Sequence, residues 1–171
     1  MLAVVIGVAG LVGGAAAALP NAVLEAALWG ATWVFFAGVI FGVLEPNLLS
    51  ALGGGPATDE AAQQAAAVKV AYGQSIATGL LAGVHVSRWL RPAADFRTLW
   101  FALAGALPGV LLVVAELLTR VGGSSLGDLI GATDPVVVNL SDAAQLRHAL
   151  IVLGIGGILA GVLGARARRS D

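Results

Sequence analysis

The residues of this chain able to do chemistry in an apolar setting are few, and most fall within residues 74–85. At about 100° per residue, Gln74, Thr78, Leu81 and His85 project within about 60° of one another on a helix. Such a face either lines a small polar path, with His85 handling protons or a metal, or hydrogen-bonds a neighbouring helix. His85 precedes Arg88 by three positions, so it can also snorkel to a membrane interface. Glu25, at similar depth on another segment, is its natural partner, or else a backbone carbonyl is. Ser75 is a possible nucleophile, but His85 is ten positions on, about 15 Å along a helix axis, too far to activate it. His148 is the only other histidine. It is the only other candidate base for Ser75, and because nucleophile and base must come within hydrogen-bond reach, which no spacing here provides, the chain is not expected to be an enzyme.

These residues stand in a markedly apolar background. Of 171 residues, 58% are apolar and 11% charged, against about 25% charged in soluble domains. So few charges could not coat a water-soluble core of this size, and the mean hydropathy is +0.93. The reading is an all-α, polytopic integral membrane protein forming a single membrane domain. A net charge of −1 gives no basic stripe for phosphates, so nucleic acid is not an expected partner. The lack of cysteine removes disulfides, thiolate metal sites and cysteine nucleophiles together, and no cofactor or metal set is read from the remaining residues. One lysine against eight arginines, amid abundant alanine and glycine, points to a GC-rich prokaryotic genome and hence a prokaryotic cell membrane.

A bilayer core of about 30 Å needs about 20 apolar residues per helix. Five segments qualify: 1–19, 22–44, 69–90, 98–118 and 148–165, with longer connections at 45–68 and 119–147. Pro20-Asn21 makes a tight turn, and the second span should stop before Glu45-Pro46. Thr58 is the expected N-cap of an extension leading into the third span, with Asp59 and Glu60 in its first turn. Ser141-Asp142 should cap an extended start of the fifth. The first segment is read as a span and not a cleaved signal, because its start carries no positive charge.

Arginine bias near the span ends fixes the expected orientation. Arg88, Arg91, Arg97, Arg166, Arg168 and Arg169 belong on the cytoplasmic side; Lys69, Arg120 and Arg147 fall opposite. The N-terminus is then outside and the C-terminus inside. At the outer rim, Glu116 and Arg120 are four apart in the favourable acid-first order, and Glu45 and Lys69 share a depth; such pairs are commonly rim ion pairs of little energy. Trp89 and Trp100 fit a cytoplasmic aromatic belt, and Trp33 should lie deeper.

A Gly-x-x-x-Gly-Val unit occurs once in each of four spans, at Gly38 and Gly42, Gly79 and Gly83, Gly105 and Gly109, and Gly157 and Gly161. Glycines four apart share a face and let backbones approach closely, so helix packing is the expected role. Pro108 removes a backbone hydrogen bond mid-span and should bend that helix for structural reasons.

Three family patterns bear comparison. "YGQS" resembles the serine motif of rhomboid proteases but lacks its second glycine. "NLSD", Asn139 to Asp142, resembles one of the two aspartate stretches of lipoprotein signal peptidases, while the position for the first aspartate holds Gly131; an exposed acidic loop accounts for it better. "FALAGALPGVLL" and "QLRHALIVLGIGGILAGVLGARARR", with five spans, resemble predicted five-helix cobalt-transporter subunits over the last 75 residues or so. That resemblance implies a role in metal uptake. The family's histidine-rich loop after the first helix and proline-rich loop after the second are missing, so no functional residue is carried over.

The expected function is therefore a small transporter or transporter component for an ion or small solute, with its path beside Gln74, Thr78 and His85. The alternative is a structural or accessory subunit of a membrane complex. Closely packed small-residue helices leave little room inside, so besides lipid the expected partners are further copies of the chain or other membrane subunits.

Overall fold

The computed structural model describes residues 17–53, 59–91, 97–130 and 135–167, with Gly7, Gly10, Leu11 and residues 13–15 before them; in 120–130 and 135–142 it describes the backbone alone. The described residues are helical apart from turns. Four long helices follow in order: α1 (Asn21–Ala51), α2 (Glu60–Leu90), α3 (Thr98–Ile130) and α4 (Pro135–Ala167). The described positions of the preceding segment are helical too, up to Ala17. Three helical segments, Asn21–Ala51, Thr98–Thr119 and Ala143–Ala167, are long and apolar enough to cross a membrane.

Local chemistry sets the helix ends. The Pro20 carbonyl accepts from Val23 and Leu24 at 2.9 and 3.1 Å, opening α1 directly after the turn. The helix does not stop at Glu45-Pro46 but continues to Ala51. Proline deletes one backbone hydrogen bond, and the turns on either side of it remain available. Termination comes at Gly53, whose φ of +89° suits glycine after a helix end. At α2 the cap is Asp59, whose carboxylate accepts from the Ala62 N–H at 3.0 Å; Thr58 lies outside the described residues. The connection expected over 119–147 is largely helical in its backbone. Adding a residue to an existing helix needs one hydrogen bond and no new nucleus, so two glycines at 122–123 do not end α3. Pro135 stands at the first position of α4, where its fixed φ is preorganised, so Ser141-Asp142 falls inside the helix and not at its cap.

Packing is most extensive between α3 and α4, then between α2 and α4 and between α1 and α2. α1 and α4 thus flank the α2–α3 pair from opposite sides. One core cluster joins Val23 and Ala26 of α1, Val86 and Leu90 of α2, Phe101 and Ala104 of α3 and Ala160 of α4. A second, toward the middle, joins Val34, Ala82 and Val152, with Leu112 against it. These side chains are small, so backbones meet. A Cβ on Gly105 would collide with the Gly156 carbonyl and with Ala160, and one on Gly109 would collide with the Leu153 backbone. A Cβ on Gly79 would lie 3.0 Å from that of Ile155, and one on Gly83 3.0 Å from that of Leu159. Gly157 and Gly161 face Ala102 at 3.2 and 3.3 Å on the same construction. Gly38 and Gly42 have nothing within 4 Å. Pro108, fully buried, packs toward Gly30 of α1, where a Cβ would stand 3.2 Å from its ring.

Candidate functional site

The polar residues on α2 divide between two ends of the bundle. Nearer the Arg88 end, His85 is half-buried and donates from Nδ1 to the Leu81 carbonyl at 2.9 Å. Its ring stacks on Trp33 with centroids 4.3 Å apart. Glu25 is exposed and makes no polar contact with His85 among the described residues. The partners of His85 are a backbone carbonyl, as its sequence position allowed, and an aromatic face, not the Glu25 carboxylate, and Trp29 against Trp89, 5.4 Å apart, extends the same aromatic end. Trp33 itself is 39% exposed, on the surface of α1 and not within the bundle.

Thr78 lies between the two ends and is 1% exposed. Its hydroxyl donates to the Gln74 carbonyl at 2.6 Å, within its own helix. With Val34, Ala82 and Val152 packed nearby, the middle of the bundle is apolar. The face expected to run from Gln74 through Thr78 to His85 is therefore interrupted there.

Above that apolar middle, toward the Lys69 end, a cavity of about 420 Å³ opens between α2, α3 and α4. Gln74 and Ser75 come from α2, Glu116 and Thr119 from α3, and Gln145, Arg147 and His148 from α4. Its lining holds a bond between two helices, joining Ser75 to the one other histidine the sequence offered as a base: Ser75 Oγ and His148 Nδ1 are 2.7 Å apart. Ser75 Oγ also lies 2.7 Å from the Ala71 carbonyl, one turn back. A hydroxyl has one proton. Since the carbonyl can only accept, Ser75 donates to Ala71, and His148 must supply the proton of the Ser–His bond. Ser75 is then an acceptor from histidine, the reverse of what a nucleophile activated by a base requires. The hydrogen bond clamps α2 to α4.

The charged groups of the cavity are each held. Arg147 lies over the Tyr72 ring, 4.5 Å from its centroid, a cation–π contact between α4 and α2. Glu116 is 6% exposed and is engaged by a partner; Arg120, expected to pair with it, falls where side chains are outside the described residues. Glu45 and Lys69 are both exposed and form no ion pair among the described residues. No group of three or more His, Cys, Asp or Glu side chains suited to a metal ion occurs among the described residues.

The Ser75–His148 pair had a faint sequence signal. Ser75 and His148 both fall near the outer starts of the spans expected at 69–90 and 148–165, which run parallel, as do α2 and α4, where Gly79 meets Val152 and Ile155 and Gly83 meets Gly156 and Leu159. Comparison with known proteins adds nothing to the geometry: no family model, no curated protein and no solved structure matches the chain.

Proposed function

We propose that this chain is a component of a membrane transporter, holding a small solute in the cavity around Ser75 and His148. The observation that carries the reading is the Ser75–His148 bond in the lining of a cavity with seven polar residues in its wall. Polar and ionisable groups at membrane depth are costly and mark solute pathways or structural clamps. A clamp alone accounts for Ser75 and His148. It leaves the concentration of Gln74, Gln145, Thr119 and Glu116 around the same space unexplained. A polar cavity bounded on one side by an apolar middle resembles one state of an alternating-access cycle. On this reading the chain crosses the membrane five times, with the Lys69 end outside and the Arg88 end cytoplasmic, as arginine bias indicates.

The competing reading is an accessory subunit docked through α1, favoured by the bare backbone at Gly38 and Gly42. Single cysteines at Gln74, Thr78 and His85 in this cysteine-free chain separate the two. With a membrane-impermeant thiol reagent, Gln74→Cys should react from the Lys69 side only, His85→Cys from the Arg88 side only, and Thr78→Cys from neither. Protection of Gln74→Cys from both sides means a dry clamp and favours the accessory subunit.

A further inference from the structure

His148 borders two cavities. Besides the polar one, it lines a second of about 520 Å³ between α1 and α3, whose other walls, including Phe35, Val39 and Leu111, are apolar. Leu112, Ala115 and His148 belong to both linings, so the two spaces adjoin at the imidazole. Each is within the roughly 300–1,000 Å³ of ligand pockets. The wall of α1 is recessed at Gly38, where a Cβ would meet nothing within 4 Å.

The chemistry of the junction selects a head group. Because Nδ1 of His148 carries the proton given to Ser75, the neutral ring presents an unprotonated Nε2. No side chain among the described residues takes that nitrogen, so it is an acceptor and calls for a donor on the ligand. The charged groups of the same cavity are already engaged, Arg147 by the Tyr72 ring and Glu116 by its own partner, so neither is set aside for an ionic head. Gln74 and Gln145 each offer both a donor and an acceptor. An uncharged hydroxyl, donor and acceptor at once, satisfies all of these, while the apolar cavity takes hydrocarbon. We infer that the site binds a neutral, hydroxyl-headed, single-chain amphiphile, its head on His148 and its chain between α1 and α3. This names the solute class of the transport reading and rests on it.

The test uses the full chain in phosphatidylcholine nanodiscs with hexadecanol carrying a photoreactive diazirine in its chain. Adducts should map to Phe35, Val39 or Leu111, saturate, and be competed by hexadecanol but not by hexadecanoate or hexadecylamine. Gly38→Phe should weaken the labelling at least about tenfold, or about 1.4 kcal/mol, while Gly42→Ala, outside the cavity lining and entering open space, should leave folding and labelling unchanged. Equal competition by hexadecanoate overturns the head-group assignment. Unsaturable adducts, matched by a diazirine phosphatidylcholine, mean a groove wetted by bulk lipid and overturn the proposal. Gln74→Cys accessibility in the same nanodiscs separates the two failures. If it reacts while hexadecanol fails to saturate, the polar cavity stands and the amphiphile falls; if it is protected, both fall.

Discussion

The residue with the clearest chemical signature in the sequence, His85, is the less informative histidine in the structure. A backbone-carbonyl partner for its ring was legible and is present, but the aromatic face was not, because a ring can stack on a neighbour that only tertiary packing supplies. Trp33 and His85 come from different helices, and only the crossing of α1 and α2 brings them together. Ser75 and His148 could be named as candidate partners but not brought within reach, for the same reason: periodicity relates residues along one helix, whereas the bond at 2.7 Å joins two. The clamp has a measurable energy. Hydrogen bonds between membrane helices average about 0.6 kcal/mol, with a maximum near 1.7. A double-mutant cycle of Ser75→Ala and His148→Phe, read by unfolding in mixed micelles, should give a coupling in about that range. A coupling near zero would mean that the bond contributes nothing to holding α2 on α4.

At the scale of elements, helix existence was legible, as were the ends with strong local signals: the start of α1 after Pro20, the end of α2 at Leu90 and the start of α3 at Thr98. The ends expected at Glu45-Pro46, Leu118 and His148 were not. Apolar length identified α1, α3 and α4, since it depends on composition summed over many residues. Ends depend on single hydrogen bonds, and Pro46 and the glycines at 122–123 stop a helix only where an alternative partner is better. The Gly-x-x-x-Gly pattern shows a related limit, because four similar motifs occupy different surroundings. Gly105 and Gly109 meet backbone of α4, whereas Gly38 and Gly42 meet nothing. Alanine therefore discriminates among them. Gly105→Ala and Gly109→Ala should each cost about 1–3 kcal/mol through overpacking against Gly156 and Leu153. Gly38→Ala should stay within about 0.5 kcal/mol, as exposed substitutions do. Tryptophan fluorescence during detergent unfolding measures all three. Equal losses at the three positions would show that Gly38 also faces a partner, a further copy of the chain or another subunit.

For the whole molecule, the decisive element is α2, the helix too polar to be counted among the three apolar ones. Its 31 residues extend about 46 Å at 1.5 Å per residue, well beyond a bilayer core of about 30 Å. From Lys69 to Leu90 the length is about 33 Å, so residues 60–68 would stand in the headgroup region, where Gln63, Gln64 and the Asp59 cap are well solvated. α1 and α4 both pack on α2 and shield Ser75, Thr78 and Ser87, each nearly fully buried. Their hydroxyls are bonded within the helix or to His148, which removes the cost of exposing them to lipid. A helix of lower hydropathy can thus cross when neighbours cover its polar face. On the proposed topology, arginine bias would put Glu60 outside and Arg97 within. Glu60→Cys and Arg97→Cys lie at exposed positions, so neither should disturb the bundle. Glu60→Cys should react with an impermeant maleimide on intact cells, and Arg97→Cys only after permeabilisation. Labelling of both from one side would mean that α2 lies along the membrane and does not cross it, and the cavity around Ser75 and His148 would then face water along its length.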